Sequence, residues 1–406
     1  IDVIRIVLSF LPVSDWVSIE ASLAKCSRYV GQMDVVFDQM SLGGGDVGVG
    51  VSNEPVSLTK DTFAWAMTKR MRAINVRVGP IFDYSTLDML ITNPDIVHMS
   101  IKGRYFSPGD DKRSYEMVFA RNQIEDRKLR SLEIQSEYYD WLSPSMLEAI
   151  LWNCGHLESL CLRSCGVTQQ SVELLCPLWA NLHTLALSTR ALVTRKSLIL
   201  IAGVCKRLHT LDFDSGHSCV DNTFPSRGLT TLVRSNPGLR SLRFKSITSL
   251  GEAGFVRVLE HCPQLTSLYT QELRCRGDGI LRAIAANCGP NLESLSIVDE
   301  YVTDPHCLLA AVRACPRLKV LNMNGISATS NDVIAAIAET CPELTELRVG
   351  NYNQVTSEGV QRFAASIGPR LECLEVHRSY RTNDNAWYAL AQKCFQLRYL
   401  NASYTY

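Results

Sequence analysis

Hydrophobic positions in this chain return as an apolar-x-x-apolar-x-apolar string about every 26 residues. Clear instances are Leu157/Leu160/Leu162, Leu208/Leu211/Phe213, Leu292/Leu295/Ile297, Leu318/Leu321/Met323 and Leu344/Leu347/Val349. With the first apolar residue of each string as marker, the series is Met71, Ile96, Leu129, Leu157, Leu182, Leu208, Leu239, Leu265, Leu292, Leu318, Leu344, Leu371 and Leu397. Most steps are 25 to 28 residues; those after Ile96 and Leu208 are 33 and 31. Each string alternates like a short strand, and the half that follows has helical spacing. The stretch from Thr329 to Ala338 opens with Thr/Ser and an acidic residue, a helix start signal. Pro305 sits where a first helical turn tolerates a missing N–H. Cys262-Pro263, Cys315-Pro316 and Cys341-Pro342 mark the helix ends, because proline turns the chain away. A period in the twenties predicts an α/β solenoid, a horseshoe of about thirteen repeats over residues 61–406 with parallel strands on the concave side and helices on the convex side. Function is then expected on an extended surface.

Strand geometry names that surface. Leucines of the string point inward, while residues between and just after them face solvent. The expected concave, partner-binding set is Arg163, Asp212, Asp214, Arg243, Lys245, Tyr269, Asp299, Asn322, Asn324, Arg348, Glu375, His377 and Tyr399. Arg and Tyr favour interface anchors. Acidic and basic positions alternate along the set, which suits a protein partner, whereas nucleic acid prefers a single-sign stripe. Two insertions, Lys102 to Arg113 and Ser215 to Arg227, read as loops whose tips carry Phe106 and Phe224.

Composition narrows the class further. The chain has 406 residues, 46% of them hydrophobic, and a formal net charge of zero. No basic excess points to nucleic acid or a membrane surface. Of the fifteen cysteines, Cys154, Cys205, Cys262, Cys288, Cys315, Cys341 and Cys394 all stand three or four residues before a marker. That is one buried apolar site reused. No CxxC pair occurs, so neither zinc nor a dithiol centre is indicated, and a reducing intracellular compartment is expected. No apolar run reaches membrane length, and Asp2 and Arg5 interrupt the first apolar segment, so no signal peptide is read. The chain does not begin with Met and reads as a fragment. The eight histidines are scattered without an HExxH pair, and no GxSxG occurs. The expectation is a non-enzyme with no cofactor and no metal.

Two stretches resemble known families. The run Leu157, Leu160, Leu162, Cys165, Val167, Thr168 is similar to the cysteine-containing leucine-rich repeats, although Gly216, Ile326 or Tyr352 fills the position of Cys165 later. Residues 1–40 lack the repeat string. There, Val3-Ile4, Val7-Leu8, Phe10-Leu11-Pro12, Asp15-Trp16, Leu23 to Tyr29 and Phe37 to Met40 resemble a degenerate F-box. Residues 41–60, with Gly43, Gly44, Gly45, Gly48 and Gly50, read as a flexible connector. The F-box/leucine-rich-repeat resemblance implies a substrate receptor of an SCF-type cullin–RING ubiquitin ligase. Its helical module would dock on a Skp-type adaptor through Ile4, Leu8, Leu11, Pro12, Trp16, Leu23 and Tyr29. The solenoid would hold a protein substrate, raising its effective concentration near the ligase. Such a protein is expected in the cytoplasm, nucleus or cytoskeleton. Two other readings stay open: a structural scaffold subunit of a cytoskeletal, axonemal or other large assembly, and a receptor gluing substrate through a small molecule. The last needs a tight basic cluster, and the charges here are dispersed.

Overall fold

The computed structural model describes residues 40–42, 73–78, 96–103, 128–136, 144–151, 154–163, 168–188, 194–214, 225–247, 250–298, 300–350, 355–378 and 381–403. The seven expected adaptor-docking residues, Ile4 to Tyr29, lie outside these, as do Asp299, Phe106 and Phe224. The chain forms two compact units, residues 1–181 and 182–406.

In the first unit, β1 (Met40–Leu42), β2 (Ala73–Val78), β3 (His98–Gly103), β4 (Ser131–Ser136) and β5 (Ser159–Arg163) pair in sequence order, all parallel. Helices α1 (Pro144–Leu151) and α2 (Gln169–Leu175) belong to the same unit. Lys102 and Gly103, read as the start of an insertion, instead complete β3.

The second unit forms one parallel ladder: β6 (Thr184–Ser188), β7 (Thr210–Asp214), β8 (Ser241–Lys245), β9 (Ser267–Gln271), β10 (Ser294–Val298), β11 (Val320–Asn322), β12 (Glu346–Arg348), β13 (Cys373–Glu375) and β14 (Tyr399–Asn401). Alternating with them are α3 (Arg195–Val204), α4 (Ser226–Arg234), α5 (Gly251–Leu259), α6 (Asp278–Asn287), α7 (Pro305–Arg313), α8 (Asn331–Thr340), α9 (Ser357–Ile367) and α10 (Asp384–Lys393). Parallel neighbours need a crossover, and the helix supplies it. Thirteen strands begin two residues after a marker. β1 is an addition; three residues are too few to carry a legible alternation. Ser226 and Arg227 belong to α4, which shortens the second insertion at its far end.

The core lies between strands and helices. In β8 and β9 burial alternates, with Leu242, Phe244, Leu268 and Thr270 fully inside. In α5 the buried residues are Gly254, Phe255, Val258 and Leu259, one stripe of a helix. Phe255 meets Phe244 edge-on at 5.2 Å, joining helix to strand. Each fully buried leucine or phenylalanine contributes roughly 1.5–3 kcal/mol.

At each corner one carbonyl accepts two successive N–H groups of the next repeat: His209 O from Arg240 and Ser241, Arg240 O from Thr266 and Ser267, and Thr266 O from Glu293 and Ser294. Beside these corners stand the cysteines. Cys205, Cys262, Cys288, Cys315 and Cys341 are fully buried, and the Cys262 thiol donates to Val258 O at 3.3 Å. One repeat puts Asn236 in this column. Its Oδ1 accepts the Leu208 N–H at 3.0 Å, and its Nδ2 donates to Cys205 O and Leu232 O, each at 2.9 Å. Other markers, Leu239 and Leu265 among them, give that N–H to a carbonyl three residues back.

Candidate functional site: the open face of the sheet

Strand register in the second unit aligns one row of side chains across the face that the helices leave open. Four residues after each marker come Asp212, Arg243, Tyr269, Ser296, Asn322, Arg348, Glu375 and Asn401, each register-paired with the next. A second row, two residues on, holds Asp214, Lys245, Gln271 and Val298. The strands thus bring together most of the expected set. Arg163 closes β5 in the first unit. Tyr399 belongs to the preceding row, on β14, and is half exposed.

Two clusters result. In the first, the Arg243 guanidinium lies 4.3 Å above the Tyr269 ring, with its Nε 3.8 Å from Asp212 Oδ2. The Tyr269 hydroxyl donates to Gln271 Oε1 at 2.6 Å. Burial pushes the Tyr269 pKa up, opposed by the Arg243 charge and reinforced by Asp214. In the second, Arg348 stands between Glu375 (3.7 Å) and Glu346 (3.6 Å). Burial works against its charged form, yet Glu375, Cys373 and Glu346 hold its pKa above the ordinary guanidinium value. Asn324 donates to Glu375 Oε2 at 3.1 Å and accepts the Gly350 N–H at 2.6 Å. The His377 ring packs against Gly350, where a Cβ would lie 2.1 Å from its Cε1 and the ring would have to shift.

Asp212 and Glu375, expected to face solvent, are each only 9% exposed. Each lies beside the longer arginine of a neighbouring strand, Arg243 on β8 and Arg348 on β12, so the arginines form the surface. Such half-exposed ion pairs add ~1 kcal/mol or less apiece. Their consequence is placement: Arg243 and Arg348 each lie within 4 Å of a carboxylate on the sheet face.

Sequence reasoning missed a second set of contacts, at the helix starts. Asp278, 6% exposed, accepts from the N–H groups of Thr303 and Asp304, each at 3.0 Å, and from the Thr303 hydroxyl at 2.6 Å. Asn331 Oδ1 accepts the Thr356 N–H at 3.0 Å, and Ser357 Oγ accepts that of Asn383 at 2.8 Å. Glu252 accepts the Gly279 N–H. Each donor lies 25 to 27 residues after its acceptor, one repeat on. That spacing was the available signal. Among the described residues, no group of three or more His, Cys, Asp or Glu is placed to hold a metal ion, and no helix is long and apolar enough to cross a membrane.

The fold is a leucine-rich-repeat solenoid, a protein-interaction architecture. No protein-family model matches the chain. The chain is similar to GRR1-like protein 1 of Arabidopsis thaliana, 24% identical over 254 residues, a match covering 50% of this chain and 43% of that protein. The chain therefore spans less than half the length of this curated relative. Among solved structures it is similar to the complex of Rad7 and Elc1 from yeast, with a TM-score of 0.56 and 13% identity over 98% of this chain and 85% of the other. An internalin from Listeria monocytogenes aligns with a TM-score of 0.44 and 14% identity, over 90% of this chain and 86% of that one.

Proposed function

We propose that the chain is the substrate receptor of an SCF-type cullin–RING ubiquitin ligase. Its first 40 residues would engage a Skp-type adaptor, and the open sheet face would hold a protein substrate. The observation that carries the binding half is the register row, in which Arg243 stacked on Tyr269 and Arg348 between two carboxylates form anchors. The ligase half is supported by the F-box-like order of residues 1–40, by similarity to GRR1-like protein 1, and by the fold shared with Rad7, whose structure was solved in complex with Elc1. The chain itself makes no bond; it raises the local concentration of what it holds.

Co-purification with a Skp-type adaptor tests this reading. Wild type should be captured, and Leu8→Asp with Leu11→Asp should abolish capture while leaving the melting temperature of the repeats unchanged. A wild-type chain that captures no adaptor, or a double variant captured as well as wild type, would return the protein to the scaffold reading.

A further inference from the structure

Beyond the sheet face, the turn that follows β9 carries charges that the function above does not use. Arg274 and Arg276 are exposed, and Tyr301, 68% exposed, stands beside Arg276 through a parallel backbone bridge. Bridged neighbours sit about 4.8 Å apart. Among the described residues, no carboxylate pairs with either arginine, in contrast to Arg243 and Arg348.

The carboxylates nearby are committed elsewhere. Glu300, 3% exposed, accepts the Leu273 N–H at 3.0 Å. Glu272 accepts from the Ser246 hydroxyl at 3.1 Å, and Asp278 serves the start of α7. The Gly277 N–H donates to Tyr301 O at 2.8 Å. These bonds hold the turn in an uncommon conformation, with φ of 54° at Glu272 and 52° at Arg274. Such backbone is unfavourable on its own and persists where its surroundings over-determine it. Glu300 and Asp278 are thus buried and held by hydrogen bonds within the turn, whereas Arg274 and Arg276 stand exposed at its surface. On the sheet itself, Lys245 at the end of β8 is register-paired with Gln271 on one side and Asp214 on the other.

We infer that Arg274, Arg276 and Tyr301 form a docking point for an acidic peptide segment of a protein partner. The inference rests on the reading that a protein lies along this sheet, and it adds the partner's chemistry. Guanidinium groups fit carboxylates bidentately, and the exposed ring offers an apolar and hydrogen-bonding contact between them. A turn fixed before binding loses little freedom when a partner arrives.

The test is fluorescence anisotropy with a labelled glutamate decapeptide and a lysine decapeptide, using the full chain at low and high salt. Wild type should bind the glutamate peptide, and salt should weaken that binding. Arg274→Glu with Arg276→Glu should weaken it at least about tenfold. Arg234→Glu with Arg257→Glu, an equal charge change on helices, should alter it about twofold or less. Circular dichroism melts establish that both doubles fold. Tyr301→Ala should also weaken binding. Absence of glutamate-peptide binding by wild type, preference for the lysine peptide, or equal losses in the two doubles would each overturn the inference. No adaptor enters this experiment, so peptide binding that persists when adaptor capture fails still supports the acidic-segment site.

Discussion

Asn236 shows how one side chain repairs a break in the repeat. Every other corner considered above gives its marker N–H to a carbonyl three residues earlier, but Leu208 gives its own to Asn236 Oδ1. Asn236 is 1% exposed, so its amide is out of reach of bulk water. Asn236→Cys would restore the residue usual in this column and keep the volume nearly filled. It would leave the Leu208 N–H and the Cys205 carbonyl without their partner. An unpaired buried group costs about 1–3 kcal/mol. The expected outcome is therefore destabilisation by about 2 kcal/mol in urea titrations. A variant as stable as wild type would mean that the corner relaxes to the bond its neighbours use. The column itself was legible, because cysteine before each marker repeats with the period. Asn236 occupies the same offset, yet its hydrogen bonds run to the preceding repeat and depend on how that corner turns.

Between elements, the contacts follow the same period but leave no apolar trace. Leucines imprint the strands because each must be buried, whereas Asp278 and Asn331 look like ordinary helix-start residues until the neighbouring helix is in view. The Thr303 hydroxyl donates to Asp278, and Asp304 caps α7 by accepting the His306 N–H at 2.9 Å. Burial alone would push the Asp278 carboxyl up; the three donors outweigh it and hold its pKa below the ordinary 3.8. A folded pKa below the unfolded one stabilises above the unfolded value and is lost as pH falls through the folded one. Wild type should therefore lose stability below about pH 4 more steeply than Asp278→Asn. Asp304, lowered by the Cys307 thiol bond and the His306 N–H, titrates in both proteins and contributes a common background. Urea midpoints across pH 2 to 7, an approximate range chosen to bracket carboxylate titration, decide the matter. Parallel pH profiles for the two proteins would remove Asp278 as the strut between α6 and α7.

For the whole molecule, the fold was legible in proportion to how much of it is core. Thirteen strands fall where the apolar string puts them, since a residue that must be buried cannot drift from the period. The sheet-face row was partly legible, as its members share one offset from the marker, but the burial of Asp212 and Glu375 was not. Their exposure depends on which side chain stands opposite on a neighbouring strand, and Arg243 and Arg348 pair with them. The turn of Arg274 and Arg276 lies outside the period altogether, so no repeat pattern announced it. A stack held by its core should open as a cooperative unit, and its cysteines report that opening. Burial pushes the thiols of Cys288 and Cys315 up to about 12; at Cys262 burial and the neighbouring Cys288 do the same. At pH 8 roughly one such thiol in ten thousand is ionised, and the thiolate is the species that alkylates. Iodoacetamide at that pH, read by peptide mass spectrometry, should leave these three unlabelled in the folded protein and label all three together as denaturant rises through the unfolding transition. Labelling of one cysteine well before the others would show that the repeats open singly, and that the column is a row of independent sites.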